Sequence, residues 1–122
     1  MCSHVIEHLP HYRWYEFLRL CKKVLIQEGN LIIETLNPRS LYGLIEWYWK
    51  DPTHQHPVYP EYLQYLMEII GFNNITITYL TPVPSNVALL TEQQDNQVYE
   101  ENINRLNTFL HDTIEYYMVA NK

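Results

Sequence analysis

The chain has 122 residues, 47% of them apolar or aromatic, and eight basic against fourteen acidic side chains give a formal charge of -6. A body of this size can remove roughly two-thirds of its unfolded surface from water, so residues 1–122 are read as one domain with one core. The charge excludes a nucleic-acid interface, because no basic run could neutralise several backbone phosphates. The apolar runs fall far short of the ~20 residues needed to cross a membrane. Cys2 and Cys21 are the only cysteines, too few for a disulfide scaffold or a four-thiolate metal site. With no targeting pattern, they point to a cytoplasmic setting.

Between His11 and Leu25, the residues Trp14, Phe17, Leu18, Cys21 and Leu25 share one helical face. Lys22 and Lys23 stand near the C-terminal end of that helix, where the backbone dipoles favour cations, and Gly29 permits a reversal. Leu31, Ile32 and Ile33, followed by Glu34 and Thr35, predict a strand covered on both faces. Asn37-Pro38 ends it, and Leu41, Leu44, Ile45 and Tyr48 predict a helix within residues 40–50. Four of the seven prolines lie from Pro38 to Pro60, which makes residues 51–59 a shaped loop. Pro60 opens the next helix, Leu63, Leu66, Met67 and Ile70 form its inner stripe, and Gly71 stops it. Ile75, Ile77 and Tyr79, alternating with Thr76, Thr78 and Leu80, predict a second strand. A capping box of Thr91 and Gln94 opens the longest helix, carried by Tyr99, Ile103, Leu106 and Leu110. Residues 115–120 form a last strand, antiparallel to the one around Ile77.

The order of three segments carries further information. His4-Val5-Ile6-Glu7-His8-Leu9 precedes a helix ending Cys21-Lys22-Lys23-Val24-Leu25, and Gly29-Asn30-Leu31-Ile32-Ile33-Glu34-Thr35-Leu36-Asn37-Pro38 follows. With Asp51-Pro52-Thr53-His54, Pro57-Val58-Tyr59-Pro60 and Gly71-Phe72, this order resembles the class I S-adenosylmethionine-dependent methyltransferases. Arg105-Leu106-Asn107 and the final Glu115 to Lys122 resemble the end of members associated with polysaccharide modification. The resemblance implies an α/β fold: a partial Rossmann-like sheet with flanking helices and an antiparallel C-terminal strand pair. Ile26-Gln27-Glu28-Gly29 stands where family members commonly have a Lys-Pro-Gly-Gly type turn, and Leu36 replaces a common proline.

In this resemblance the first half of the sheet is missing, with its glycine-rich turn and the acidic residue that binds the cofactor ribose. Gly29, Gly43 and Gly71 are isolated and cannot replace that turn. The expectation is a truncated domain that binds no cofactor by itself, S-adenosylmethionine belonging to the intact family. Glu7 and His8 border the implied cofactor and acceptor cleft; otherwise they cap a helix or face solvent. His54 is the leading acid/base group, since imidazoles titrate near neutrality, and Asp51 would orient it; the alternative is that both organise the loop. Glu34 and Asn37 lie at a strand exit, where open α/β sheets expose ligand groups, or they terminate the sheet. Trp47 and Tyr59, with Tyr42, Tyr48 and Trp49, make either a carbohydrate platform or core cover. His4, His8, His11 and Glu7, or His54 and His56, raise a metal reading, but without a fourth ligand or supporting partners the expectation is no metal.

Two functions follow. One is a remnant or split subunit of a methyltransferase whose ancestral acceptor is a sugar hydroxyl, inactive alone; the other is a non-catalytic structural or protein-interaction module. Either leaves the strand at Leu31–Glu34 with an unpaired edge, and so implies a homodimer or a complementary N-terminal-half subunit; the alternative is that Met1 to His11 folds back as a local cover and leaves a monomer.

Overall fold

In the computed structural model, which describes residues 1–90 and 96–122, four strands form one open mixed sheet. They are β1 (Cys2–Ser3), β2 (Asn30–Leu36), β3 (Asn73–Leu80) and β4 (Glu115–Asn121), in the order β1-β2-β4-β3. β1 runs parallel to β2, while β4 lies antiparallel to both β2 and β3. This is the expected partial Rossmann-like sheet with its antiparallel C-terminal pair, and Ile77 pairs with Met118. One expectation is corrected: β2 is not an edge strand. Cys2 and Ser3 pair with Ile33 and Glu34, so the edge passes to β1, because the N-terminal residues supply backbone partners of their own.

Helices α1 (Trp14–Val24) and α3 (Pro60–Ile70) pack together on the sheet. Trp14 and Leu18 from the first and Leu63, Leu66 and Met67 from the second enter the same core as Leu31, Ile33, Tyr116 and Met118. The predicted stripes of both helices are the buried ones because their apolar spacing matches the helical repeat. Gly71 closes α3 in a left-handed conformation, φ 91, its N–H shared between Met67 O and Glu68 O.

The segment after β2 departs from a simple helix. A short α2 (Leu41–Gly43), capped by Ser40 Oγ, passes into a π-helical turn (Leu44–Tyr48) closed by Trp49 N donating to Leu44 O. The wider turn breaks the expected apolar stripe: Tyr48 is buried, whereas Leu41 and Ile45 are exposed. The longest helix, α4 (Gln97–Leu110), begins at Asn96, whose side chain accepts from Tyr99 N; the capping box expected at Thr91 and Gln94 lies outside the described residues. α4 buries none of its side chains, and Leu106 and Phe109 face solvent.

Glu28 adopts φ 59, the left-handed region, at the position where the resembled turn has glycine. An L side chain there costs roughly 1–2 kcal/mol, partly offset by the larger unfolded-state entropy of glycine. Glu28→Gly should therefore raise unfolding stability by about 1 kcal/mol, read as a higher urea midpoint at unchanged slope; an unchanged or lower midpoint would contradict the assignment of strain.

Candidate functional site

The carboxyl ends of the parallel strands β1 and β2 open on the same side of the sheet, which is where open α/β sheets hold ligands. After β1 the chain reverses at His4, φ 50, a backbone conformation uncommon for a non-glycine residue. His4 N still donates to Glu34 O at 2.9 Å, and Ile6–His8 then makes one 3-10 turn. Trp14 fixes this turn from the core, its indole N–H reaching Ile6 O and Leu9 O at 3.0 Å. The facing wall is the proline-framed loop 51–59. Gln55 N donates to Glu7 O at 2.7 Å, and the buried Tyr116 hydroxyl donates to Val58 O at 2.9 Å, so both ends of the loop are tied down.

Glu7 stands between these walls with 0% of its surface exposed. Its Oε1 meets His4 Nδ1 at 3.1 Å, and His4 Nε2 reaches Glu115 Oε1 at 3.3 Å. Its Oε2 is buried with no hydrogen-bond partner. Burial, and after it the charge of Glu7, pushes the Tyr48 phenol up to about 12 and shifts the Tyr116 phenol in the same direction. The low-dielectric pocket around the carboxylate thus holds its phenolic neighbours in their protonated form.

His8 and His54 lie beside it, ring centroids 4.6 Å apart. His54 stacks on Tyr48, and its Nδ1 is 2.7 Å from Tyr48 O. A carbonyl oxygen can only accept, so Nδ1 carries a proton, and Nε2, with Asp51 Oδ2 4.0 Å away, holds the lone pair of the neutral ring. His8 Nδ1 is 2.8 Å from Thr53 Oγ1, whose hydroxyl donates to Asp51 Oδ1 at 2.6 Å. With its one proton committed to Asp51, Thr53 must accept from His8, which assigns the same tautomer to the second imidazole. Glu7, His8 and His54 each offer a ligand atom within 4.8 Å of the others, the one such group among the described residues.

A cleft of about 690 Å³ opens on His8 and His54, with Tyr42 and Trp47 on its aromatic wall and His4, Asp51 and Glu115 on its polar one. Of the residues singled out in the sequence, His8, Asp51, His54 and Trp47 line it, and Glu7 lies buried beside the two imidazoles. Glu34 accepts from Ser3 Oγ at 2.7 Å. Asn37 is fully buried; its amide donates to Thr113 O at 2.9 Å and its Oδ1 accepts from Arg39 N, so its polar groups organise the turn after β2. Tyr59 lines a different and larger cavity, of about 1150 Å³, against α4. That cavity contains no histidine or cysteine, and its Arg105 pairs with Glu101. Thr53 and Glu115 were not assigned roles from sequence. The aspartate two residues before Thr53 is a turn signal that could have located the first, whereas nothing in the sequence marks Glu115.

The bonds from the Thr53 hydroxyl and N–H hold the Asp51 carboxyl below its ordinary range. A depressed carboxylate strengthens the folded loop above the unfolded-state value and releases it only as pH falls through the folded one. An NMR titration of the Thr53 amide should show a midpoint below that of ordinary aspartate, moving upward in Thr53→Val. An ordinary midpoint that the substitution leaves in place would contradict the coupling.

No family model matches the chain, and no curated protein matches it. Among solved structures, it is similar to a SAM dependent methyltransferase from Archaeoglobus fulgidus, at 35% sequence identity and a TM-score of 0.90. The match covers 100% of this chain and 57% of that one, so the chain spans little more than half the length of the methyltransferase it resembles. Its fold is accordingly a class I S-adenosylmethionine-dependent methyltransferase fold, partial relative to that structure.

Proposed function

We propose that this chain is the acceptor-side part of an S-adenosylmethionine-dependent methyltransferase acting on a hydroxyl, with a sugar as the acceptor class. The observation that carries the reading is the cleft at the carboxyl ends of β1 and β2, where two imidazoles each offer a nitrogen within 4.8 Å of a buried carboxylate. A hydroxyl oxygen becomes more nucleophilic as it loses its proton, and the His54 Nε2 lone pair is a basic atom suited to promoting that loss. Trp47 and Tyr42 offer apolar ring surface of the kind that covers the C–H faces of a sugar.

In this reading the glycines of this chain do not hold the methyl donor. A Cβ on Gly29 would lie 2.9 Å from Ile26 O, Gly43 packs against Ser40, and Gly71 caps α3, so none of the glycines lines a cradle for a nucleoside. In this reading the donor is held by a complementary N-terminal half, which would also cover the outer edge of β1. A second copy of the chain covering that edge is the alternative association, and it goes with a non-catalytic interaction module.

The test pairs this chain with the portion of the Archaeoglobus fulgidus methyltransferase to which it does not align. Calorimetry should find no saturable S-adenosylmethionine binding to the chain alone, and binding with methyl transfer to a sugar in the reconstituted pair. In that pair, His54→Gln should lower turnover about a hundredfold and leave the acceptor KM within about twofold. Saturable binding to the chain alone, or unchanged turnover in a folded His54→Gln pair, would overturn the reading.

A further inference from the structure

We propose that Glu7, His8 and His54 form a binding site for a first-row divalent transition-metal cation where the cleft lined by His8 and His54 meets the buried Glu7. The inference rests on the acceptor-side reading above and changes one part of it: the imidazole lone pairs go to the cation, and the acceptor oxygen is activated by it.

Three independent features point to the same occupant. The first is the donor set. Two imidazoles and one carboxylate suit cations such as Zn²⁺, Fe²⁺, Co²⁺ and Mn²⁺, and the cleft supplies room for the remaining positions. The second is the support behind each imidazole. His54 Nδ1–H is held by Tyr48 O and His8 Nδ1–H by the Thr53 hydroxyl, itself backed by Asp51. Such outer hydrogen bonds fix the tautomer and aim of a ligating histidine. The third is Glu7 Oε2, an oxygen removed from water with no donor to meet it. An unmatched carboxylate oxygen in that position is costly, and a cation supplies the missing charge.

The geometry requires a small adjustment. Ligand atoms around one ion at about 2.1 Å lie about 3 to 3.5 Å from each other. Those of Glu7, His8 and His54 lie within 4.8 Å, so side-chain rotations that close the set by up to about 1.8 Å complete it. His4, paired with Glu115, holds the other oxygen of Glu7 at 3.1 Å.

The test is titration of the full 122-residue chain with Co²⁺, read from its visible ligand-field absorption and by calorimetry. One ion per chain should bind, excess Ca²⁺ should not displace it because that ion selects all-oxygen sites, and Zn²⁺ should compete. His54→Asn and Glu7→Gln should weaken binding by at least about tenfold. Since Glu7 and His54 are deeply placed, Thr53→Val serves where those variants unfold; it removes the hydroxyl that supports His8 and bonds Asp51, leaves the three ligand residues themselves unchanged, and should weaken binding about tenfold. His11 and His56 form a separate exposed pair, with ring nitrogens 3.3 Å apart, and the double change His11→Asn with His56→Asn should leave affinity unchanged. Absence of stoichiometric binding, loss of binding in the His11/His56 variant, or full affinity in folded Thr53→Val would overturn the proposal. Because the readout is cation binding, a failure of methyl transfer in the reconstituted pair would count against the methyltransferase reading and leave this site standing.

Discussion

A single carboxylate taken out of water organises this end of the molecule. Glu7 is inside the protein by virtue of its neighbours: Trp14 holds the turn that carries it, and Gln55 N holds its own carbonyl. His4 engages one of its oxygens. Burying a charge is expensive, so every element around Glu7 is constrained in what it can present to that charge. His4, itself paired with Glu115, meets that constraint directly, and His8 and His54 each offer a nitrogen within 4.8 Å of the carboxylate.

The sheet makes this convergence possible. The parallel pairing of β1 with β2 sends two strand exits to one side, and the antiparallel entry of β4 beside β2 starts at the same side, which is how Glu115 and Tyr116 come to meet His4 and Val58. Tyr116 links the layers directly: its ring belongs to the main core and its hydroxyl secures the loop that carries His54. Core packing and site geometry are therefore coupled, and a change that loosens β4 would be felt at the imidazoles.

Much of the architecture was legible in the residues because amphipathic spacing has a direct structural meaning. Trp14 and Leu18, or Leu63 and Met67, could be placed inward from periodicity alone, and Gly71 from its position after an apolar stripe. The π-turn was not legible, since Leu44 to Tyr48 reads as ordinary helix until backbone bonding skips a residue. Leu106 of α4 looks like a core residue but is exposed, because periodicity reports an apolar face and not what covers it. At the site, His8, His54, Asp51 and Glu7 could each be named, whereas their assembly depends on contacts across two loops distant in sequence. Thr53 shows the limit most clearly: its role exists only because Asp51 takes its proton and His8 must then give it another.

The central claim is that the fold holds His8 and His54 in one tautomer, with both Nε2 lone pairs left for a ligand in the cleft. Long-range proton–nitrogen correlation NMR of the folded chain, recorded where its imidazoles are neutral, reads that state directly. The expected spectrum shows both residues as the Nδ1–H form, with Thr53→Val releasing His8 alone. Either imidazole in the Nε2–H form in the native protein would contradict the claim.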